Sequence, residues 1–284
     1  MIEGKTKLLK ETYIIKTKNV LTANDASKKE QVDVAVDKTA QTCSVFEFLK
    51  KNEIPTAFVT QLSHDTFLTS AVDMFPIECV VRRKAYGSYL KRIPEVKVGS
   101  IISPLQPEFY YKLAIDSDKL ISEEDAREKY LRNGKWTKKI ITDPYIILSA
   151  KRNNEITADF YDPKIPFEPG NALIRRHKMP FNFQQYTEIL SLMLNTFTLL
   201  EEAWKTFNVE LIDIKIEVGV DRNDGKVVVA DVIDNDSWRI WPGGNPEGQL
   251  DKQAFRDNED INVVKNKYAI VTDYTRRFKD LIIK

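Results

Sequence analysis

Three charged side chains in one apolar segment have the spacing of a strand that carries chemistry. In LIDIKIEVG, residues 211–219, apolar residues alternate with Asp213, Lys215 and Glu217. Successive side chains of a β-strand point to opposite faces, so these three charged groups are predicted to share one face. That polar face is the first candidate for a functional site.

A turn after this segment brings another acid towards it. Asn223–Asp224–Gly225 suits a three-residue hairpin loop in which Gly225 takes the left-handed conformation. Such a loop predicts that Glu217 faces Asp231, whereas a bulge would shift the pairing by one residue. Facing like charges are destabilising, and Mg²⁺, which binds one or two carboxylates plus phosphate oxygens, would offset their repulsion. A solvated strand face neutralised by Lys215 stays open as the alternative.

The loop that follows Asp231 is also charged. Asp234, Asp236 and Arg239 precede Trp241 within a few residues. Acids and an arginine this close can position a cation and an anionic ligand, or they can pair with each other at the surface.

Two basic segments have features of phosphate-binding sites. RRKAYGSYLKR carries Arg82, Arg83, Lys84, Lys91 and Arg92, and Gly87–Ser88 is placed to begin a short helix. Free N–H groups at a helix start, a serine hydroxyl and an arginine make a phosphate cradle, although a solvated basic face fits the same pattern. Lys5 and Lys7 would share a strand face and could grip a polyphosphate.

The elements that must position these residues follow from the apolar spacing. The first third predicts mainly antiparallel strands with a helix around Val45, Phe46 and Leu49. Ser122 is predicted to begin a helix through Tyr130, a pair of strands is predicted in 135–151, and prolines predict irregular chain over 163–180. Apolar residues at spacings of three and four predict a core helix over 186–207, and residues 263–284 a closing helix.

Composition excludes several classes of protein. The chain has 284 residues, with 43 Lys and Arg against 42 Asp and Glu, and this balance argues against a nonspecific nucleic-acid coat. No apolar run is long enough to span a membrane, and the N-terminus does not resemble a signal peptide. Two cysteines favour a reducing cytoplasm, and two histidines disfavour a zinc centre. The P-loop, dinucleotide-binding and GxSxG motifs are absent from the sequence.

At these segments the sequence resembles the SAICAR synthetase family of purine biosynthesis. The resemblance rests on GKTK at 4–7, LTAND at 21–25, ECVVRRKAYGSYLKR at 78–92, LIDIKIEVG at 211–219 and DVIDNDSWRIW at 231–241. The last block looks closest to the form fused to a carboxylase domain. The resemblance implies a two-lobed, ATP-grasp-like α+β fold of mainly antiparallel sheets with flanking helices, divided into an N-terminal ATP lobe, 1–83, and a larger lobe, 84–284.

The resemblance also implies an activity: ATP-dependent joining of L-aspartate to carboxyaminoimidazole ribonucleotide, with Mg²⁺, in a cytoplasmic enzyme that could form homo-oligomers. Matched position by position, Lys5, Lys7, Glu78 and Lys112 would bind ATP, and Arg82, Ser88 and Arg239 the phosphorylated substrate. Asp213 and Lys215 would be catalytic, and Glu217 and Asp231 would hold the metal.

One region departs from the family pattern. The family's Lys-Asp-Asp is replaced by Lys112-Leu113-Ala114, and an insertion separates it from Asp116, Asp118 and Asp143–Pro144 as candidate substitutes. Two other functions therefore stay open. One is a phosphotransferase that uses the same ATP site on another acceptor. The other is a nucleotide-binding module that has lost catalysis.

Overall fold

The structure is a computed structural model that describes residues 2–3, 8–23, 28–133 and 135–283. Its strands are β1 (Ile2–Glu3), β2 (Leu8–Leu9), β3 (Thr12–Lys16), β4 (Val20–Ala23), β5 (Lys28–Gln31), β6 (Phe58–Ser63), β7 (Thr66–Ser70), β8 (Val72–Lys84), β9 (Ile101–Tyr111), β10 (Ala114–Asp116), β11 (Lys119–Ile121), β12 (Leu131–Arg132), β13 (Lys135–Trp136), β14 (Ile141–Thr142), β15 (Tyr145–Ala150), β16 (Glu155–Tyr161), β17 (Ile174–Asn182), β18 (Val209–Asp221), β19 (Val227–Ala230) and β20 (Trp238–Pro242). Its helices are α1 (Ala35–Lys51), α2 (Ser88–Arg92), α3 (Glu123–Tyr130), α4 (Phe183–Lys205), α5 (Gln253–Arg256) and α6 (Ile261–Arg277).

An antiparallel sheet organises the molecule, in the order β17-β16-β15-β9-β8-β18-β19, with β20 also paired to β18. β20 pairs with the first half of β18 and β19 with the second half, so the two strands follow one another along one edge of β18. The chain between them returns to the middle of β18, where the Lys215 N–H donates to the Ser237 carbonyl at 2.6 Å. The charged loop therefore lies beside the polar face of β18.

The predicted core helix is confirmed as α4, which packs on the sheet. Phe197 and Trp204 on α4 are fully buried, as are Ile214 and Ile216 on β18. Each large apolar side chain buried in this way contributes about 1.5–3 kcal/mol to the free energy of unfolding. Although α4 is long, none of the described helices is long and apolar enough to cross a membrane. The α+β fold with mainly antiparallel sheets is confirmed.

The helix predicted in the first third is confirmed as α1, which begins several residues earlier than the apolar spacing indicated. It packs against α6, the predicted closing helix, and Gln41 fixes the contact by donating from Nε2 to the Tyr268 carbonyl at 2.9 Å. The three-stranded sheet β3-β7-β6 completes this part of the molecule.

The inserted segment forms a small unit of its own. The helix predicted after Ser122 is confirmed as α3, with the Ser122 hydroxyl accepting from the Asp125 N–H at 3.0 Å. α3 contacts the small sheet β11-β10-β14. The pair of strands predicted in 135–151 is instead three shorter pieces, β13, β14 and β15, of which β15 joins the large sheet.

The prediction of irregular chain over 163–180 is wrong for its last part, because residues 174–182 form β17. β17 is an edge strand of the large sheet. Pro180 lacks an N–H, and an edge strand tolerates it because one side of the strand has no ladder to complete.

The predicted boundary between two lobes, at residues 83 and 84, falls inside β8. β8 is hydrogen-bonded along its length to β9 and β18, which come later in the chain. The two-lobed division stays a prediction.

Candidate active site

A cavity of about 570 Å³ lies on the polar face of β8 and β18. Seven basic side chains line it, Arg82, Lys91, Lys164, Lys215, Arg239, Lys252 and Arg256, together with four acidic ones, Glu78, Asp143, Asp213 and Asp236. Thr22, Ser88 and Thr142 add hydroxyl groups. A pocket with this excess of positive charge attracts anionic ligands.

Asp213 joins two arginines at one end of the cavity. In the sheet it lies between Arg82 on β8 and Arg239 on β20 as their direct cross-strand neighbour. Its Oδ2 accepts from NH1 of Arg82 and from NH1 of Arg239, each at 2.6 Å. One carboxylate therefore holds two guanidinium groups side by side, and the pair keeps a net positive charge that suits a phosphate.

Ser88 completes this end of the cavity. NH2 of Arg82 donates to the Ser88 hydroxyl at 3.1 Å, and Ser88 begins α2, as predicted. Within the described part of the chain, Nε of Arg239 is buried without a hydrogen-bond partner. Arg82, Ser88 and Arg239, predicted to bind one phosphorylated ligand, are thus brought together.

The five basic residues at 82–92 have different surroundings: some form ion pairs within the protein and others line the cavity. The sequence alone did not separate the two groups. Arg83 pairs with Glu201 on α4, and Lys84 pairs with Glu210. Arg92 is buried and contacts Glu108. Of the five basic residues, Arg82 and Lys91 line the cavity, whereas Arg83, the next residue on β8, points to the opposite face of the sheet.

Gly87 is required by the arginine beside it. Its φ is +60°, and a Cβ at this position would lie 2.6 Å from NH2 of Arg239. We expect Gly87→Ala to displace the guanidinium and to weaken binding of inorganic phosphate about tenfold, measured by calorimetry, with a stability cost of about 1 kcal/mol. Gly248→Ala is the control, since a Cβ there would meet no atom within 4 Å. Unchanged phosphate affinity in Gly87→Ala would contradict the role of Arg239.

Lysines and carboxylates form a second group further along β18. Nζ of Lys215 lies 2.9 Å from Oε1 of Glu217 and 3.4 Å from Oε1 of Glu78. Lys112, the residue after β9, donates to Oε2 of Glu217 at 2.5 Å. The prediction that Asp213, Lys215 and Glu217 share a face is confirmed by these contacts, and Glu78, predicted separately, joins the group.

The predicted pairing of Glu217 with Asp231 is wrong by one residue. Glu217 faces Ala230, because Asp221 pairs with Lys226 and the hairpin loop has four residues, 222–225, instead of three. Gly225 takes the left-handed conformation as predicted, with φ +75°. Asp231, with φ +60°, leaves the strand direction at the end of β19 and turns its carboxyl back to Glu217.

The pKa shifts of Glu217, Asp231 and Lys215 reflect burial and the opposite charges around them. Burial disfavours ionised Glu217, but the ammonium groups of Lys215 and Lys112 outweigh this and lower its pKa. Enclosure by protein and the charge of Glu217 raise the pKa of Asp231, although Asp231 keeps access to solvent. Burial would lower the pKa of Lys215, but Glu78 and Glu217 raise it. The lysine therefore stays charged.

The acidic loop is buried and anchored, so the alternative of surface ion pairs does not hold for it. Oδ2 of Asp236 accepts from Lys38 on α1 at 2.8 Å and from Lys252 at 2.9 Å, and Oδ1 accepts from the Tyr268 hydroxyl at 2.6 Å. Asp234 is almost fully buried, and Lys38 lies 3.6 Å from its Oδ2. These contacts fix the loop that carries Arg239.

Asp234 should make stability depend on pH. Burial raises its pKa to about 6, while Lys38 opposes the shift. A carboxyl whose pKa is raised on folding contributes stability that is present below the ordinary pKa, near 4, and is lost as pH rises through 6. We expect Asp234→Asn to remove this contribution, at most about 1.4 kcal/mol per pH unit, from denaturation measured between pH 4.5 and 7.5. Identical slopes in both proteins would contradict it.

Some site residues were missed by sequence reasoning, and others lie outside the described residues. Lys252 and Arg256 line the cavity and are four apart, a helical spacing that could have suggested them. Of the candidate substitutes in the insertion, Asp143 lines the cavity, whereas Asp116 binds Lys138 and Tyr130. Lys5 and Lys7 are not among the described residues.

The fold and cavity define an α+β protein with a cleft whose excess of basic side chains suits an anionic ligand. The family model for SAICAR synthetase matches residues 1–146 and 158–272. The phosphoribosylaminoimidazole-succinocarboxamide synthase of Herpetosiphon aurantiacus is 30% identical over 292 residues, covering 98% of each chain. The chain therefore belongs to the SAICAR synthetase family.

Longer relatives and solved structures also match. The multifunctional protein ADE2 of Gallus gallus is 33% identical over 267 residues, covering 91% of this chain and 52% of its own. The chain thus spans about half the length of such multifunctional relatives. A SAICAR synthetase solved in complex with ADP superposes with a TM-score of 0.66 at 21% identity, covering 96% of both chains. This structural likeness concerns the fold.

Proposed function

We propose that the chain catalyses ATP-dependent ligation of L-aspartate to carboxyaminoimidazole ribonucleotide, forming SAICAR, ADP and phosphate. The observation that carries the proposal is the arrangement along β18. A double-arginine site at Asp213 and a lysine–carboxylate group at Glu217 are four residues apart, about 13 Å of strand. A ribonucleotide could place its phosphate at the first and direct its imidazole carboxylate towards the second.

The proposed reaction has two steps. The imidazole carboxylate attacks the γ-phosphorus of ATP, ADP leaves, and an acyl phosphate forms. The aspartate amine then attacks the acyl carbon, inorganic phosphate leaves, and the amine loses a proton. Lys215 would hold the carboxylate and stabilise negative charge as it develops, because its ammonium group lines the cavity and remains charged. Asp213 would act by orienting Arg82 and Arg239.

ATP would lie at the lysine–carboxylate end of the cavity. We assign Lys112 and Glu78 to its binding, together with Lys5 and Lys7, whose positions are not described. Lys112 is suited to this role because its side chain is 41% exposed and, within the described part of the chain, its ammonium group pairs with Glu217. A SAICAR synthetase with the same fold was solved in complex with ADP, which supports nucleotide binding by this chain.

The carboxylates fit Mg²⁺. Glu217 and Asp231 are adjacent, and their mutual repulsion is offset by ammonium groups that a divalent cation could replace. Mg²⁺ is commonly held by one or two carboxylates together with phosphate oxygens and water. When bound, the ion would neutralise charge on the transferring phosphoryl group.

Substrate dependence tests the proposal. ADP release should require both aspartate and the carboxylated ribonucleotide, and the product should contain the new amide bond. Turnover without aspartate would indicate a phosphotransferase instead. ATP binding, seen as thermal stabilisation, with no ADP release under any substrate combination would indicate a module without catalysis.

Replacement of a metal ligand gives a more specific test. We expect Asp231→Asn to raise the Mg²⁺ concentration for half-maximal activity about tenfold or more, since one of two ligand charges is lost. Asp224→Asn, in the exposed part of the same hairpin, is the control and should keep the wild-type magnesium dependence. If Asp231→Asn had the magnesium dependence of wild type, Asp231 would not be a ligand of the ion.

Three further expectations belong to the proposal. The free, buried cysteines Cys43 and Cys79 are compatible with a cytoplasmic location. Small-molecule substrates are the expected partners, with homo-oligomers as a possible assembly. We also propose that the chain is most similar to the form fused to a carboxylase domain. It is 33% identical to a multifunctional relative and 30% identical to a stand-alone one, and these identities do not separate the two forms.

A further inference from the structure

A buried polar group adjoins Arg82 and Ser88 at the wall of the cavity, where its member Tyr110 also lines the cavity. It consists of Glu108 and Tyr110 on β9 and Arg92 at the end of α2, and we refer to it as the rear frame. All three are 6% exposed or less. We propose that the rear frame positions Arg82 and Ser88 for the phosphate of the substrate, an inference that rests on the proposed function.

Glu108 is the centre of the rear frame. Its Oε2 accepts from Nε of Arg82 at 2.7 Å and from the Tyr110 hydroxyl at 3.0 Å, and its Oε1 accepts from Arg92. One carboxylate therefore fixes a second arginine and a tyrosine in relation to Arg82.

These contacts set the plane of the Arg82 guanidinium. Glu108 holds Nε and Asp213 holds NH1, and the guanidinium is a rigid planar fork. NH2 is then directed to the Ser88 hydroxyl at 3.1 Å, and to the Tyr110 hydroxyl at 3.3 Å. Without Glu108, Arg82 would lose the partner of its Nε, and only Asp213 would hold its guanidinium through a charged contact.

Arg92 positions Ser88 from the other side. Its NH1 donates to the Tyr110 hydroxyl at 2.6 Å and to the Ser88 carbonyl at 3.3 Å, so it ties the end of α2 to its beginning. Its guanidinium also lies 4.3 Å from the ring centre of Tyr145 on β15. α2 has only five residues and depends on such contacts for its place.

The charge balance favours a role in ligand binding over a role in stability alone. Arg82, Arg92 and Arg239 face Glu108 and Asp213, which leaves one positive charge uncompensated in this cluster. Buried ion pairs are often no more stabilising than apolar side chains of the same volume. An anionic ligand at Arg82 and Arg239 supplies the missing negative charge.

The experiment compares Glu108→Gln and Tyr110→Phe with Glu201→Gln. Glu201 makes an equivalent pair with Arg83, the next residue on β8, whose side chain points away from the cavity. We expect Glu108→Gln to weaken binding of ribose 5-phosphate about tenfold or more, and to raise KM for the ribonucleotide similarly. Tyr110→Phe should act in the same direction but less. In all three variants, KM for ATP should stay within about twofold of wild type. In Glu201→Gln, the affinity for ribose 5-phosphate and KM for the ribonucleotide should also stay within about twofold of wild type.

A double-mutant cycle tests whether the rear frame acts through Arg82. In an Arg82→Lys background, Glu108→Gln should add little, because the fork that it orients is gone. Additive effects, or an equal rise in KM for ATP, would overturn the positioning role.

If wild type binds ribose 5-phosphate and both Glu108→Gln and Tyr110→Phe bind it as well as wild type does, only the proposal for the rear frame is overturned. Failure of wild type to bind it would overturn the phosphate site as well. If Glu108→Gln does not fold, Tyr110→Phe takes its place in the same cycle with Arg82→Lys, since it removes one hydroxyl group and keeps every charge.

Discussion

Asp213→Asn is expected to raise KM for the ribonucleotide about 100-fold and to lower the free energy of unfolding by about 3–5 kcal/mol. The reason is that Oδ2 of Asp213 holds Arg82 and Arg239 together, each at 2.6 Å. Removing the negative partner of a buried ion pair leaves uncompensated charge, and here two guanidinium groups would remain next to each other. They would move apart, and the phosphate would lose the paired donors.

The measurement is a KM for each substrate together with a urea-unfolding curve. Asp73→Asn is the matched control, because Asp73 pairs with Arg222 at 2.7 Å on the exposed end of β8. An exposed pair contributes about 0–1 kcal/mol, so this variant should be close to wild type. If Asp213→Asn lowered kcat with no change in KM, Asp213 would contact the reacting atoms instead of orienting the arginines.

The polar face of β18 could be predicted from the sequence because it depends on local alternation. Asp213, Lys215 and Glu217 needed no information beyond their own segment. The cross-strand partner of Glu217 was less predictable, because one additional residue in the hairpin loop moves every pairing by one. Asp231 still reaches Glu217, since its left-handed conformation changes the direction of its side chain at the end of β19. Such a single-residue conformation leaves no periodic signal.

Long-range partners could not be predicted in the same way. Arg92 belongs to a basic segment that suggests a surface, but its partner Glu108 comes from β9, and their pairing exists only once β8 and β9 are adjacent. The anchoring of Asp236 by Lys38 joins residues 198 positions apart. The insertion is a third case, since only the fold shows that Asp143 lines the cavity and Asp116 does not.

Lys215→Met is expected to lower kcat about 10²–10³-fold while it changes binding of ribose 5-phosphate by less than about twofold. Methionine keeps an unbranched apolar side chain of nearly the same length but removes the ammonium group that lies between Glu78 and Glu217. Removing one preorganised charge from a reacting centre lowers kcat by about 10²–10³-fold, because no other group stabilises the charge that develops in the transition state.

The backbone of Lys215 should stay in place in this variant. Its N–H donates to the Ser237 carbonyl at 2.6 Å, and neighbouring Ile214 and Ile216 are fully buried. Lys226→Met, in the same hairpin at an exposed position, is the control and should keep wild-type kcat.

Single-turnover kinetics identify the step that Lys215 assists. Loss of the first step, seen as slow ADP formation in one turnover, is expected if Lys215 holds the carboxylate that attacks ATP. Rapid ADP formation followed by slow amide formation would assign it to the second step instead. A kcat within about tenfold of wild type would show that Lys215 only neutralises Glu78 and Glu217, the alternative that the sequence left open.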